Sequence, residues 1–476
     1  MRFLPIWDGT YEVPDVIGFA DYLSYREDFC REILRRAQVG VTGSMSEFPY
    51  PNTPGKVRWM ALLDPGDLLL YRAAVGPIAE VMDCKLGSEV HSSRLAHHPP
   101  AWRLRKPKRP WKAFQQESLR YINEKATRAM LQTDLERYFQ LIDHDELLFF
   151  LLRCGCHEAP VGLIAKMLAG WRRRNGLRGL PIGPEPSSLL GNVFLLPVDD
   201  RCRTQGITHL RWMDDMRLFG PAEAVCGQFV PMLDTQFGQQ RLRRNVEKTY
   251  ISSGAEAEAR IQSDTLASLG VVISVNRSEG VERARALFDE EVRGRPDAHP
   301  GTFRFVVGVF RIENDPYAAR ALLENPEVLN IDPRVGSEYI ASTALHDDQV
   351  VEMLFETLEE SASERSDARR MHLIRTASSR SWGTAEGNVL MSIALNVSEQ
   401  SPVRAWAVTA ARGTPEWNQQ EIEGLALTET DRMTARAATA TLRTAPDRSS
   451  VSRFARKLER SRPGLRFTAR WAEARA

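Results

Sequence analysis

Two adjacent acids, Asp214 and Asp215, lie within the run His209-Leu-Arg-Trp-Met-Asp-Asp-Met-Arg-Leu-Phe219. Neighbouring carboxylates repel each other and are costly to half-bury, and a divalent cation removes that cost. A third acid, Asp134, ends an apolar, strand-like segment 80 residues before Asp214. Nucleotidyl transfer by two metal ions needs such a separate carboxylate, supplied by a neighbouring strand and bridging both ions. Between these acids runs Gly179-Leu180-Pro181-Ile182-Gly183-Pro184, a glycine-bounded turn ahead of a helix, which lets backbone come close to a base pair or nucleotide. After them comes Asn245-Val246-Glu247-Lys248-Thr249, whose lysine would reach a triphosphate or protonate departing pyrophosphate. Each piece alone has a plainer explanation. An Asp-Asp pair is usually a solvated turn, which is the reading for Asp199-Asp200, and a single lysine is usually at the surface. The order of the pieces is what carries information.

The elements that must hold these residues follow from periodicity. Tyr22–Ala37 reads as an amphipathic helix, and the Pro-rich segment Phe48–Lys56 as a loop. Trp111–Met130 reads as a helix with Phe114, Leu119, Tyr121, Ile122 and Ala129 on its apolar face. Residues 131–143 read as a buried strand entering a turn, 145–154 and 160–173 as helices, and Ser187–Leu196 as a further helix. His209–Phe219 is a hairpin with the two aspartates in its turn. Residues 222–240 are expected to be helical and Leu242–Ile251 extended. Beyond about residue 265, short amphipathic helices alternate with Pro, Gly or acidic turns, in pairs recurring every 35–45 residues or so; this suggests a HEAT-like solenoid or a helical bundle.

The chain has 476 residues, 43% hydrophobic and 26% charged, with a net charge of +1. That length exceeds one core, and two or three units are expected. No apolar run approaches membrane-spanning length, and no secretory signal is seen at the N-terminus. The six cysteines lack framework spacing, which suits the cytoplasm, and Cys154-Gly-Cys156-His157 has no second Cys/His pair to complete a zinc site. Charge is uneven: Arg94 to Lys112 holds seven Lys or Arg and no acid, and Arg172-Arg173-Arg174 with Arg178 forms a second cluster. Such patches suit phosphate backbones.

Strand-Asp134, Gly179-Leu-Pro-Ile-Gly183, Trp212-Met-Asp-Asp215 and Asn245-Val-Glu-Lys-Thr249, in this order, resemble the palm of reverse transcriptases over roughly residues 90–255. Trp212 stands where the family usually has Tyr, and Ile182 where many members have Gln. The divergent fingers segment resembles bacterial enzymes of the abortive-infection and defence-associated type. The resemblance implies an α+β right-hand palm and fingers followed by an all-α HEAT-like repeat domain, divided as 1–130 (N-terminal extension and fingers), 131–264 (palm) and 265–476 (helical repeats). It implies two Mg²⁺ ions (or Mn²⁺) held by Asp134, Asp214, Asp215 and the carbonyl of Leu135, with Lys248 also catalytic. Phe139, Pro181, Ile182, Gly183, Arg94 and Lys106 are the implied nucleotide contacts, Phe139 selecting dNTPs by excluding a 2′-hydroxyl. Implied partners are an RNA template, a DNA product, a non-coding RNA and further copies of the chain. DNA synthesis without a template, primed on a tyrosine such as Tyr22, Tyr25, Tyr71, Tyr317 or Tyr339, stays open. So does a non-catalytic scaffold that only binds nucleic acid. Arg404, Arg412, Arg436 and Arg443 are expected to be exposed on the helical region, where they would meet phosphates.

Overall fold

Alternation of apolar and polar residues sets up a four-stranded antiparallel sheet. Strands are numbered along the chain: β1 Met45–Thr53, β2 Lys56–Leu63, β3 Leu95–His97, β4 Arg103–Leu104, β5 Ala129–Thr133, β6 Thr208–Trp212, β7 Asp215–Gly220 and β8 Tyr250–Ser253. The sheet order is β6-β7-β5-β8, and β1-β2 and β3-β4 are separate two-stranded sheets. The computed structural model describes residues 12–40, 42–43, 45–53, 56–97, 102–261, 266, 269–270, 272–273, 276–359 and 366–474. Their contacts form two compact units. One takes in Cys30–Glu47 and Ala61–Ala267; the other takes in Trp7–Phe29, Phe48–Met60 and Ser268–Ala476.

In the first unit β5 is central. Met130 pairs with Phe219 and Leu131 with Leu218. Because side chains alternate, these two pairs occupy opposite faces. Met130, Leu210 and Phe219 form a buried cluster with Phe114 and Ile122 of the helix Lys108–Ile122 and with Ala257 and Ile261 of the helix Gly254–Ile261. On the other face lies the helix Glu223–Gln239, close enough that a side chain at Gly220 would meet Cys226 and Val225.

Two sequence expectations are corrected here. The helix expected over Trp111–Met130 runs from Lys108 and ends at Ile122, and Ala129 begins β5. The apolar spacing that assigned Ala129 to the helix belongs to the first inward position of the strand. Phe48–Lys56, expected as a loop, contributes most of β1 and the start of β2. Backbone N–H groups two residues apart point to the same edge, so Pro49 and Pro51 remove donors from one edge and leave the other able to pair.

The second unit is helical apart from its strand segments. The helices Pro300–Glu313, Pro333–Thr343, Asp367–Ala377, Ser401–Ala410, Arg432–Thr441 and Arg466–Glu473 pack each on the next. Each is also covered by the helix just before it, from Arg277–Glu291 through Arg448–Ser461. Ala and Thr crowd the contacts. In Arg432–Thr441 every residue from Thr434 onward is buried, which lets neighbouring helices approach closely.

Arg436, expected on the surface, is instead 3% exposed. Its Nε and Nη2 donate to both carboxylate oxygens of Asp21 at 2.8 and 2.6 Å, and its Nη1 pairs with Asp15. Thr468 Oγ1 also donates to Asp21, at 2.6 Å. Arg404 is likewise buried, paired with Glu429 at 2.5 Å. Tyr22 stacks near Phe29 and Phe467 beside this centre. Removing one partner of a buried ion pair strands the other charge, at a cost of about 3–5 kcal/mol. Arg436→Ala is therefore expected to lower the melting temperature of the second unit markedly by differential scanning calorimetry, whereas Arg412→Ala, at an exposed position, leaves it unchanged; equal melting for both variants would refute the clasp.

Candidate active site

The register that pairs Thr133 with Met216 places Asp134 opposite Asp215 when carried one residue further. Opposed residues share a face, so Met130, Gln132 and Asp134 of one strand stand beside Phe219, Arg217 and Asp215 of the other. This face grades from apolar to acidic toward the hairpin tip. Trp212, paired with Asp215, closes the acidic end by stacking edge-on to Trp111 at 4.9 Å. Arg217 lies over the Phe114 ring at 4.3 Å and donates to Ser118 Oγ at 2.9 Å.

Three half-buried acidic residues thus lie at this end of the sheet. Burial is the main cause that lifts the Asp214 carboxyl well above the usual range, and the charge of Asp134 adds to it. Asp215 is pushed up to about 6 by burial and by Asp134, against the opposing pull of Arg217 and Lys248. Its Oδ1 is buried and accepts no hydrogen bond. Asp134 is relieved differently: Lys248 Nζ lies 2.6 Å from its Oδ2, and the Leu135 N–H donates to its Oδ1 at 2.9 Å. Lys248 sits in a single 3-10 turn, Val246–Lys248, tied to the end of β5 by the Asn245 N–H donating to the Asp134 carbonyl at 2.8 Å.

The hairpin turn needs support because Met213 has φ +59°, a conformation unfavourable for a side chain of that size. Its N–H donates to Ser92 Oγ at 2.6 Å and its carbonyl accepts from Arg211 Nη1 at 3.0 Å. Arg211 is fully buried and also donates to Asp199 at 2.9 and 2.6 Å, to Asn192 Oδ1 at 2.7 Å and to the Asn192 carbonyl at 3.0 Å. Asn192 in turn donates to the Ser92 carbonyl at 2.8 Å. Asp199, expected to be solvated, is therefore a buried anion. Burial pushes its carboxyl up, and Arg211 and His209 more than offset this and hold it below the usual value. The sequence reading missed Arg211, Asn192, Asp199 and Ser92 as supports of the turn. The one available signal was a charged residue at an alternating position in a strand one place before the Trp-Met-Asp-Asp box.

The glycine turn is fitted against the residues after Asp134. Gly179 has φ +65°, and a Cβ there would lie 2.0 Å from the Phe139 carbonyl oxygen. That oxygen accepts from the Leu180 N–H at 2.8 Å, and His144 Nε2 meets the Gly179 carbonyl at 2.6 Å. Gly191, on the following helix Glu185–Phe194, lets the Tyr138 and Phe139 rings pack against it, with Tyr138 Oη donating to its carbonyl at 2.5 Å. Phe139 is half-buried. Pro181 is buried, and Ile182 and Gly183 are half-buried, with Gly183 at φ +116° and the Ile182 carbonyl accepting from Ala61 N–H at 2.8 Å.

Residues 77–273 match the family described as "Reverse transcriptase (RNA-dependent DNA polymerase)". The chain carries a reverse transcriptase domain. By that domain it is an RNA-directed DNA polymerase, a nucleotidyltransferase. No curated protein sequence matches the chain. Among solved structures it is similar to telomerase from Candida albicans in complex with a fragment of telomeric RNA, at 11% identity over 80% of this chain and 67% of that one, with a TM-score of 0.30.

The residues selected for catalysis, metal and nucleotide binding, Arg94 and Lys106 included, fall inside the matched reverse transcriptase region. The structure brings Asp134, Asp214, Asp215 and Lys248 together and sets Phe139 against Gly179-Leu180. Arg94 is committed elsewhere: its guanidinium binds Asp83 at 2.8 Å and the carbonyls of Gly87 and Val90 at 2.8 and 3.2 Å. Lys106 is exposed and has no ion pair among the described residues, as are Lys108, Arg109, Lys112 and the Arg172–Arg174 run. Leu135 faces Arg244 across an isolated bridge whose hydrogen bonds run through Asp134 and Glu136, leaving the Leu135 carbonyl outside the ladder.

Reverse transcriptase domains use divalent cations. Among the described residues no three His, Cys, Asp or Glu side chains are already gathered to enclose an ion. The donor set still fits a hard cation: all-oxygen ligands, an orphaned Asp215 oxygen, and an ammonium already drawn to Asp134. Because the folded chain holds a proton on Asp215 more tightly than the unfolded one, whose Asp titrates near about 3.9, stability falls as pH rises through the interval up to about 6. In chelator, the melting temperature of the first unit should drop between pH 4.5 and pH 7 and recover at pH 7 on adding millimolar Mg²⁺; Asp214→Asn with Asp215→Asn should flatten both responses, and a wild-type curve indifferent to pH and cation would contradict this account.

Proposed function

We propose that the chain copies an RNA template into DNA, adding dNTPs with two Mg²⁺ ions (Mn²⁺ able to replace them), and that it does so in bacterial antiphage defence. The observation that carries the catalytic part is the convergence of Asp134 with Asp214 and Asp215 at one end of a sheet face, with a buried carboxylate oxygen left unpartnered. Asp134, Asp214, Asp215 and the Leu135 carbonyl would hold the cations, which supply charge for primer-hydroxyl activation and for the transferring phosphoryl group. Lys248 would leave Asp134 and turn its proton to the pyrophosphate side. Pro181-Ile182-Gly183 would present backbone beneath the new base pair, and Phe139 would lie beneath the sugar. Lys106 is the better candidate for a phosphate contact, Arg94 serving to brace its loop on Asp83.

The defence assignment is supported by the resemblance of the whole arrangement, a palm with a paired-helix array that we read as HEAT-like, to abortive-infection enzymes. Assembly into homo-oligomers, a non-coding RNA partner and a cytoplasmic location belong to the same resemblance. No helix among the described residues is long and apolar enough to cross a membrane.

Purified protein given an RNA template, a primer, labelled dNTPs and Mg²⁺ should extend the primer, with RNase pretreatment abolishing synthesis. Asp214→Asn with Asp215→Asn should reduce incorporation by at least about 10³-fold, since charge stabilisation at the reacting phosphate is worth several kcal/mol, with unchanged circular dichroism. Residual synthesis near the wild-type rate would overturn the reading.

Phe139→Val should raise incorporation of ribonucleotides relative to deoxyribonucleotides in the same extension assay. An unchanged ratio in an active variant would make Phe139 only a packing partner of Gly191.

A further inference from the structure

Many arginines in the second unit are neutralised by acids. Arg277 pairs with Glu313, Arg285 with Asp315, Arg304 with Asp332, Arg311 with Glu338, Arg320 with Asp347 and Arg470 with Glu459. The helix Arg448–Ser461 breaks this habit. Its apolar side, Val451, Phe454, Ala455 and Leu458, is buried in the unit. Its outer side carries Arg453, Arg456, Lys457 and Arg460, all exposed and none in an ion pair among the described residues. Positions at this i, i+3, i+4, i+7 spacing lie on one face, neighbours about 5–6 Å apart. The stripe therefore rises about 10 Å along the helix. These four side chains, with Ser461, line a shallow open groove. The one acid on the helix, Glu459, is turned to Arg470, so it does not cancel the stripe.

Four like charges held in a row repel one another and destabilise the bare protein slightly. A polyanion that draws them together releases that repulsion along with its own counterions. The apolar side of the helix is used up in the core, which removes the amphipathic insertion that would point to a lipid surface. No aromatic side chain lines the groove. A site without aromatics binds backbone charge and does not read base identity. That property suits a strand of arbitrary sequence.

We propose that this stripe is a docking site for the phosphate backbone of single-stranded DNA, the product strand of the reverse transcriptase domain. The choice of DNA rests on the polymerase reading of the first unit; the polyanion site itself rests only on the second.

The test uses the full-length chain and a fluorescent oligo(dT), with affinity followed by anisotropy from 50 to 300 mM NaCl. Single strands lose about 0.7 in the log–log salt slope per neutralised phosphate. The variant R453Q/R456Q/K457Q/R460Q should therefore bind about tenfold or more weakly at about 0.15 M salt, with a slope smaller by about 3. Arg412→Gln, an exposed cation of the same unit outside the stripe, should keep wild-type binding, and primer extension measured on the same samples reads failure of the catalytic reading separately from failure of this site. In wild type, oligo(dT) should also protect Lys457 from acetylation, measured by mass spectrometry, a readout that needs no variant to fold. Unchanged affinity and slope in the quadruple variant, or an unprotected Lys457, would overturn the proposal. So would loss of binding confined to a matched oligo(U) or to vesicles containing phosphatidylserine, with oligo(dT) binding intact.

Discussion

Repulsion among Asp134, Asp214 and Asp215 is the constraint around which the first unit is organised. Left in water, the three would separate; the sheet does not let them. Asp134 and Asp215 are fixed by the β5–β7 register, and a one-residue slip would send one of them to the opposite face. The chain softens the repulsion in two ways that a cation can reverse: by drawing Lys248 onto Asp134, and by favouring protons on Asp214 and Asp215. Both leave the carboxylates in place for a cation to replace ammonium and proton. A site relieved by an arginine buried among the three would gain more stability without a metal and would lose this exchangeability.

Asp214 must also be presented at the tip of a two-residue turn, and that turn is strained at Met213. Strained backbone persists only where its surroundings over-determine it. Here the surroundings are polar and fully buried: Arg211 satisfies the turn carbonyl, Ser92 accepts from its N–H, and Asn192 and Asp199 lock Arg211. Asn192 lies on the helix that follows Gly179–Pro184, so the hydrogen-bond network that holds the acidic turn also fixes the glycine turn's helix. The Phe139 carbonyl connects that glycine turn back to the segment after Asp134. The sequence elements singled out for chemistry are thus one hydrogen-bonded assembly, with a shared loss of geometry if any part fails.

Legibility in the sequence divides along this line. Groups that touch the chemistry were visible because their residue types are unusual where they stand: paired acids in a hairpin, glycines flanking a proline turn, a lysine after an extended segment. The supporting network was not, because Arg211 meets Asp199 and Asn192 only after two helices fold back onto β6, and no local spacing encodes that. Asp199 shows the error in its clearest form, since an Asp-Asp pair in a polar helix reads as solvated until its partner is found. Ala129 and the β1 prolines failed for local reasons. An apolar residue that continues helical spacing is indistinguishable from the first residue of a strand, and Pro is excluded from sheets only where its missing donor would face a partner.

In the helical unit the same argument runs through charge. Arg404 and Arg436 looked like surface cations because arginine is rarely fully buried. Yet Ala- and Thr-rich helix contacts leave room for long side chains to run inward, and acids on neighbouring elements receive them. Once those pairs are counted out, four exposed cations without an ion pair among the described residues stand together on the outer face of Arg448–Ser461. An ion pair inside the packed array contributes mainly by avoiding an uncompensated charge, so its sign and place are dictated by the fold. Among the described residues the stripe makes only local contacts, Arg453 with Ser449 Oγ and Arg456 with the Ser452 carbonyl. The docking site proposed for the stripe follows from the potential of four clustered cations, which attracts an anion repeated along a line.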